Sequence, residues 1–179
     1  MIEKLYSHQH GFPTPNTRGD TFRIVVPGVK YGIMDDLLGS HLRRAQILVY
    51  EDFFRAVEGS QITPPLFASL ILVKENPGTS QSVISTVLGI AKSGAMTLVD
   101  KLETLELVER RPHPTNRRSK ALFLTKIGEQ KIQVLEQAVQ RHDLNASRNL
   151  SQTERKTLLQ LLRKLDAPKP ETPPSKRQE

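Results

Sequence analysis

The stretch that decides the fold is residues 80–125, SQSVISTVLGIAKSGAMTLVDKLETLELVERRPHPTNRRSKALFLT. Apolar residues in its first half recur at steps of three and four, which predicts two short helices. Ser80 can cap the first helix and Gly89 can close it, and Ser93 can cap the second helix after a short turn. The first half of the stretch therefore predicts a helix–turn–helix.

Each of these two helices is expected to bury one face and to expose the other. The buried set comprises Val83, Ile84, Val87 and Leu88 on the first helix and Leu98, Leu102 and Leu105 on the second, with Ala95 and Val99 beside them. The exposed face of the second helix comprises Lys92, Ser93, Met96, Thr97, Asp100, Lys101 and Thr104. A helix fits the major groove of DNA and can offer such a polar face to base edges, so the second helix is predicted to contact DNA.

The second half of the stretch predicts a β-hairpin with a basic tip. Residues 107–111 and 119–124 have extended patterns and flank a Pro-Thr-Asn break, after which Arg117 and Arg118 follow directly. A guanidinium group at such a tip can reach the minor groove, where the negative potential of DNA attracts it. The whole stretch therefore has the layout of a winged helix–turn–helix.

Longer helical patterns precede this stretch. From Met34 to about Val57, apolar residues predict one long helix with a single buried stripe, formed by Leu38, Leu42, Ala45, Val49, Phe53 and Ala56. Gly59 is expected to end this helix. Pro64 suits the first turn of the next helix, which is expected to stop at residues 76–78.

Two further helices are predicted after the hairpin. Thr125 can cap the first of them, and Ser151 with Glu154 forms a capping-box pattern at the start of the last. The last helix is rich in leucine. Together with the long first helix it presents more apolar surface than one small winged lobe needs, which favours a homodimer.

The two ends of the chain differ from the middle in composition. Residues 1–33 contain prolines and glycines without a helical period, which predicts an extended N-terminal arm. Residues 167–179 hold four prolines and almost no apolar side chains, so they are expected to form a disordered tail. The folded domain is expected to occupy residues 34–166.

The overall composition narrows the class of protein. The 179 residues include 26 Lys and Arg against 19 Asp and Glu, a formal charge of +7, which favours an acidic partner such as nucleic acid. The chain has no Cys, which excludes disulfides, thiolate metal sites and a cysteine redox sensor. No apolar run approaches the roughly 20 residues of a membrane helix, and the N-terminus does not resemble a signal peptide. We therefore expect a cytoplasmic protein without a membrane partner.

Several segments in a fixed order resemble the MarR family of bacterial transcriptional regulators. They are LVDKLE at 98–103, LVERR at 107–111, the arginine pair at 117–118, LTKIG at 124–128, LSQTER at 150–155 and LLQLL at 158–162. The resemblance implies a mainly α (α+β winged-helix) fold over residues 34–166. Within it, residues 62–124 would form the DNA-binding lobe, and residues 34–59 and 125–166 would supply the dimerisation helices.

The resemblance also implies partners. It implies a homodimer that straddles double-stranded palindromic DNA, and a small effector, such as an aromatic acid, a phenol or an acyl-CoA thioester, that binds between the lobes and weakens DNA binding. Gly94, Thr97 and Asn116 depart from residues common in the family, so the family's base-contacting roles are not carried over to these three positions. Arg117 and Arg118 match the family pattern.

The candidate site residues fall into two sets. The candidate DNA contacts are Ser80, Gln81, Lys92, Ser93, Met96, Thr97, Lys101, Arg117, Arg118 and Lys120. The candidate effector contacts are His41, Arg44, Leu48 and Phe67, because a cationic or donor group near apolar walls suits an aromatic carboxylate. His41 also suits a histidine in a dimer interface, and Phe67 also suits the hydrophobic core.

The sequence gives little support to an enzyme. It contains no HExxH, GxSxG, Walker or GxGxxG motif, and no cofactor is expected. His8 and His10 alternate without an acidic neighbour, so they are expected to be solvated rather than metal ligands. The expected function is a transcriptional repressor released by a small effector. The alternative is a winged-helix interaction or DNA-coating protein that has no effector.

Overall fold

The structure is a computed structural model that describes residues 26–112 and 120–166. Most of the predicted arm, the hairpin tip and the predicted tail lie outside the described residues, as do the predictions for His8, His10, Arg117 and Arg118. The chain divides into two compact units, one ending at Ala146 and the other beginning at Ser147. The two units are described separately.

The first unit contains a 3₁₀ helix, five α-helices and a two-stranded sheet within the described ranges. In chain order they are the 3₁₀ helix Gly32–Asp35, α1 Leu38–Ala56, α2 Pro64–Glu75, α3 Gln81–Val87, α4 Lys92–Thr104, β1 Val108–Pro112, β2 Lys120–Leu124 and α5 Lys126–Ala146. The strands pair antiparallel, with Val108 opposite Leu124 and Pro112 opposite Lys120. Helices α3 and α4 followed by this hairpin form the predicted winged helix–turn–helix.

The starts of α2 and α3 follow from local side-chain capping. Thr63 accepts a hydrogen bond from the backbone N–H of Leu66 at 3.4 Å, and Ser80 accepts one from the N–H of Val83 at 3.4 Å. Each bond satisfies one of the free N–H groups at a helix start. Gly89 follows α3 with φ 62°, so the predicted start and end of this helix are confirmed.

Helix α4 starts two residues earlier than the sequence pattern indicates. The prediction that Ser93 caps it is wrong, because the helix begins at Lys92 and Ala91 holds the N-cap position without a side-chain bond. Ile90 packs against the core, so the turn closes immediately after it. The buried positions of the helix are Ala95, Val99 and Leu102.

Helix α1 is shorter than predicted. The chain from Gly32 to Asp35 forms a separate 3₁₀ helix, and Leu37 is extended with ψ 119°, so α1 begins at Leu38 rather than at Met34. Leu37 sets this break, since its extended backbone, with φ −91° and ψ 119°, is unsuited to a continuous α-helix.

Most of the predicted α1 stripe is not buried within a single subunit, so this prediction is largely wrong. Phe53 is only 5% exposed, but Leu38 is 59% exposed, and Leu42, Ala45 and Val49 are also exposed. Helix α1 packs on α5 through the side that carries Phe53, and no described element of this unit covers the rest of the stripe. A continuous apolar stripe on α1 is therefore left open.

Two inward predictions for α3 are also wrong. Val83 and Val87 are 44% and 59% exposed, whereas Ile84 and Ser85 are buried. The helix has seven residues and packs against α4 and β2, so it has room for only one narrow buried side.

One hydrophobic core joins the helix–turn–helix to the hairpin and to α5. Its fully buried members include Leu70, Val73, Ile84, Val99, Leu102, Leu122 and Ile132. The chain just before α3 adds to the sheet, because Gly78 N–H donates to Leu122 O at 2.8 Å and Leu122 N–H donates to Thr79 O at 2.8 Å. The wing base is therefore fixed to the helix–turn–helix by both packing and backbone hydrogen bonds.

Helix α5 starts in close contact with the turn that follows α4. Thr125 Oγ1 donates to Glu106 O at 2.5 Å and accepts from Gly128 N–H at 2.9 Å, which confirms Thr125 as the cap. Glu106 has φ 58°, an uncommon conformation for a residue with a side chain. A Cβ added at Gly128 would overlap the carbonyl group of Leu107. Glycine at this position thus allows α5 to lie directly against the backbone of Leu107.

The second unit contains α6, Gln152–Leu165. Ser151 Oγ accepts from Glu154 N–H at 3.3 Å, and the Glu154 carboxylate accepts from Ser151 N–H at 2.8 Å, so the predicted capping box is confirmed. The Ser151 hydroxyl also donates to Glu154 Oε2 at 2.7 Å, and this bond together with that from Ser151 N–H holds the pKa of Glu154 below its usual value. The exposed leucines of α6 are Leu158, Leu159, Leu161 and Leu165.

No single described helix has both the length and the hydropathy that a membrane span requires. The bent pair α3 and α4 meets them together, at an angle of 117°, and both helices belong to the helix–turn–helix.

We expect Gly128→Ala to lower the free energy of unfolding, measured by urea denaturation, by about 1–3 kcal/mol because the new methyl group overlaps Leu107. Gly39→Ala is the matched control, since Gly39 is helical and nothing lies within 4 Å of its added Cβ. This control should raise the free energy of unfolding by about 0.5 kcal/mol. Equal stabilisation by both variants would contradict the close approach at Gly128.

Candidate nucleic-acid interface

The outer face of α4 is open to solvent, as the sequence predicts. Lys92, Ser93, Met96 and Thr97 are all exposed, and Met96 retains 50% of its accessible surface. Thr97 Oγ1 donates to Ser93 O at 3.1 Å, which orients its oxygen lone pairs away from the helix axis. This face presents an ammonium group, hydroxyl groups and one apolar side chain, and a helix of this width fits into the major groove of DNA.

The two helices of the motif are joined by a side chain that was predicted to contact DNA. Gln81 Nε2 donates to Lys92 O at 3.2 Å and so links the start of α3 to the start of α4. Ser80 caps α3 through a lone pair of its hydroxyl oxygen, which accepts from Val83 N–H. Gln81 therefore has a structural role in setting the angle between the two helices.

Lys101 lies at the other end of the α4 face. Its ammonium group donates to Gln61 Oε1 at 3.1 Å and is half-buried. Gln61 has φ 58°, so the chain there is held in a left-handed turn. The hydrogen bond places the Lys101 charge near the C-terminal end of α4 rather than at its N-terminal end, where Lys92 lies.

The base of the wing is held by an ion-pair cluster that the sequence analysis missed. The guanidinium group of Arg110 contacts Asp100 Oδ1 at 2.7 Å and also pairs with Glu103. Glu103 Oε1 in addition accepts from the backbone N–H of Arg110 at 3.1 Å. Asp100 and Glu103 are one turn apart on α4, and this i, i+3 carboxylate pair next to an Arg-bearing strand is the signal that could have revealed the cluster.

Positive charge on the wing is therefore distributed unevenly. Arg110 is neutralised by two carboxylates, and Arg111 pairs with Glu109 while its guanidinium lies 4.6 Å from the Phe123 ring centroid. Lys120 is exposed at the start of β2. The predicted contacts Arg117 and Arg118 belong to residues 113–119, outside the described part of the chain.

The candidate effector residues lie in two places. His41 Nε2 lies 2.6 Å from Asp35 O, and Arg44 pairs with Asp35 Oδ1 at 3.3 Å while stacking on Tyr31 at 4.5 Å. The structure thus brings His41 and Arg44 together around the 3₁₀ helix. Leu48 is 41% exposed further along α1. Phe67 instead packs on Phe53, with ring centroids 5.9 Å apart.

A groove of about 430 Å³ opens between α2, the hairpin and the start of α5. We call it the wing groove. It is lined by Val73, Lys74, Pro77, Arg111, Phe123, Leu124, Glu129, Ile132 and Gln133, so none of the four candidate effector residues lines it. Lys74 Nζ donates to Glu136 Oε1 at 2.5 Å, and this bond raises the pKa of Lys74.

The wing groove has apolar walls and a few charged groups, which is the usual character of a small-molecule site. It touches both the wing and α5, so a ligand there would contact the DNA-binding lobe and a predicted dimerisation helix together. Among the described residues, no group of three or more His, Asp or Glu side chains is arranged to hold a metal ion.

Comparison with known proteins gives consistent matches. A sequence model described as MarR family matches residues 60–119. A putative transcriptional regulatory protein for the hcr operon of Thauera aromatica is 38% identical over 149 residues, which are 83% of this chain and 90% of the relative.

Two solved structures of the transcriptional repressor CouR also match. CouR bound to a 23-mer DNA duplex is 36% identical with a TM-score of 0.73, covering 78% of this chain and 99% of CouR. CouR bound to p-coumaroyl-CoA is 34% identical with a TM-score of 0.70, covering 77% of this chain and 97% of CouR. The similarity therefore spans more than three quarters of this chain and nearly all of CouR.

We expect Arg110→Ala to lower the free energy of unfolding in urea by about 1–3 kcal/mol, because it leaves two neighbouring carboxylates without their shared cation. Arg111→Ala is the matched control: it removes the same charge from the next residue, whose pair with Glu109 is largely exposed. The control should change stability by no more than about 0.5 kcal/mol. Equal losses in both variants would show that the ion-pair cluster does not stabilise the wing.

Proposed function

Because this chain belongs to the MarR family, we propose that it is a transcriptional repressor that binds palindromic promoter DNA as a homodimer and releases it when a small effector binds. Repression would follow from occlusion of the promoter by the bound dimer. The proposal assigns the chain no catalytic activity.

The observation that carries the DNA-binding part is the exposed face of α4 in a chain that is 36% identical to a repressor bound to a DNA duplex. Lys92, Ser93, Met96 and Thr97 offer hydrogen-bonding groups and one apolar contact to base edges. Ser80 and Gln81, at the start of α3, lie where backbone N–H groups of a helix can hold a phosphate.

Positive charge supports the same assignment. The chain carries a net charge of +7. Since Arg110 and Arg111 are paired with carboxylates, we propose that Arg117, Arg118 and Lys120 supply the wing's contacts to DNA. Contacts of this kind displace counterions, so affinity should fall steeply as the salt concentration rises.

Open apolar surfaces support the homodimer. The stripe Leu38, Leu42, Ala45 and Val49 on α1 is exposed, and so is the leucine face of α6. Apolar surface of this extent on predicted dimerisation helices suits burial against a second copy of the chain. A two-fold axis would then place two α4 helices on the two halves of a palindrome.

The effector part of the proposal rests on the chemistry of the candidate side chains and on the ligand that CouR binds. CouR binds p-coumaroyl-CoA, which is a large anionic thioester with a phenolic ring. We propose that His41, Arg44 and Leu48 contact such an effector on α1 and that Phe67 contacts it from α2. The wing groove offers further volume between the hairpin and α5. Release of DNA requires only that the effector bind better to a lobe arrangement that does not fit both half-sites.

The test is a fluorescence-anisotropy titration of the purified protein onto DNA from the region upstream of its own gene, at two salt concentrations. We expect tight, salt-sensitive binding to this DNA and weaker binding to a shuffled sequence. p-Coumaroyl-CoA and a panel of aromatic acids are then added. Reversal by one of them supports the proposed repressor, and selective binding that no compound reverses points to the alternative without an effector.

Arg118→Ala tests the wing. We expect it to weaken operator binding by about 1–3 kcal/mol and to reduce the dependence of affinity on salt, because one phosphate or minor-groove contact is lost. Arg111→Ala, which removes a paired charge from the same hairpin, should change operator affinity much less. Unchanged affinity in Arg118→Ala would remove the wing tip from the proposal.

Leu161→Asp tests the dimer. Leu161 is 56% exposed in the single chain, so the change should leave the fold of one subunit intact. Within a dimer interface it would bury an unpaired charge and weaken self-association by about a hundredfold or more, as measured by analytical ultracentrifugation. Gln160→Asp places the same charge on the opposite face of α6 and serves as the control. A fully dimeric Leu161→Asp variant would exclude this face of α6 from the interface.

A further inference from the structure

The wing groove has the size of a ligand site. Its volume of about 430 Å³ falls within the roughly 300–1,000 Å³ that small-molecule sites occupy. Within the described part of the chain, it shares no lining residue with the contacts predicted for DNA or with those predicted for the effector. The charges and the apolar walls of the groove therefore have to indicate what it could bind.

The apolar part of the lining is mostly aliphatic. Val73 and Ile132 are core residues that each retain only 1% of their accessible surface, and the half-buried Leu124 on β2 adds a third branched side chain. The ring of Phe123 already has the Arg111 guanidinium group stacked on it at 4.6 Å. Burial of an aliphatic chain against these walls is favourable, because it removes apolar surface from water.

The two cations that line the groove are already paired with carboxylates. Lys74 Nζ lies 2.5 Å from Glu136 Oε1 and 3.7 Å from Glu75 Oε1. Arg111 Nε donates to Glu109 Oε1 at 2.9 Å. An anionic ligand would have to compete with these carboxylates for the cations. The cations of the groove therefore do not select an anion.

Helix α5 contributes two acceptors that remain free. Glu129 and Gln133 are one helical turn apart, so their side chains point to the same side of α5. Both are exposed, and among the described residues neither side chain forms an ion pair or a hydrogen bond. With Glu129 included, the lining charges and their ion-pair partners amount to four carboxylates against two cations. This balance attracts a cation and repels an anion such as a thioester of coenzyme A.

We propose that the wing groove binds a small aliphatic ammonium compound. The ammonium group donates hydrogen bonds to the Glu129 carboxylate and to the Gln133 side-chain oxygen. The aliphatic chain packs on Val73, Leu124 and Ile132. This site is additional to the proposed effector site on α1 and α2, and it does not depend on the proposed repressor function.

The test compares n-octylamine, n-octanol and octanoate, which have chains of similar length and differ in the charge of the head group. Isothermal titration of the full chain near pH 7 and at low salt should show about tenfold tighter binding of octylamine than of octanol, the effect of one charge-assisted hydrogen bond. Octanoate should bind more weakly than octanol. The chain has a net charge of +7, so general attraction would favour octanoate and cannot produce this order. Failure of octylamine to bind, or equal binding of octanoate, would overturn the proposal.

Glu129→Gln locates the ammonium group. It should lower octylamine affinity about tenfold and leave octanol affinity unchanged, because the substitution removes the charge and nearly keeps the shape. Glu58→Gln is the matched control, since it removes the same charge from an exposed residue that does not line the groove, and it should leave both affinities unchanged. Circular dichroism verifies that each variant is folded. Unchanged octylamine affinity in Glu129→Gln would overturn the proposal.

Gln133→Glu provides a test by gain of affinity, which a damaged fold would not produce. The second carboxylate should tighten octylamine binding about threefold, the effect of one partly exposed charge pair. Gln137→Glu adds the same charge one turn further along α5, at an exposed residue outside the groove lining, and should change the affinity much less. Equal gains in both variants, or no gain in Gln133→Glu, would overturn the proposed contact. Operator binding measured on the same preparations without amine decides the proposed repressor function separately.

Discussion

The close approach of α5 to the backbone of Leu107 is the contact on which the rest of the first unit depends. It is possible only because residue 128 has no side chain, and Thr125 fixes it by accepting from Gly128 N–H and donating to Glu106 O. The contact joins the end of the helix–turn–helix to the long helix that follows the wing. It thereby sets the direction in which α5 leaves the DNA-binding lobe, and Ile132 and Leu135 enter the shared core as a result.

Some cationic side chains of the wing stabilise the fold through ion pairs, and the proposed function assigns others to contacts with DNA. Arg110 is held by Asp100 and Glu103, which ties β1 to the helix predicted to contact DNA. The base of the wing is thereby held at a defined distance from α4. Positioning of this kind matters for a regulator, because phosphate contacts fix register while base contacts supply specificity.

The apolar surface of the chain exceeds what one subunit can bury. Four residues of the predicted α1 stripe are exposed, while Phe53, further along the same stripe, packs with Phe67 and His142. One side of this helix packs inside the subunit, and its exposed stripe would be buried by a second copy in the proposed dimer. The proposed effector contact Phe67 lies on α2 beside Phe53, so an effector bound there would touch the helix that precedes the helix–turn–helix.

The sequence by itself determined the elements and most of their caps. Ser80, Thr125 and the Ser151–Glu154 box act through bonds that span three residues, so local pattern is sufficient to find them. Tertiary structure decided the rest, because burial depends on what lies opposite a residue. Val87 and Leu38 fit a buried pattern but remain exposed in the described chain, and Arg110 acquires its role only from Asp100 and Glu103 on another element.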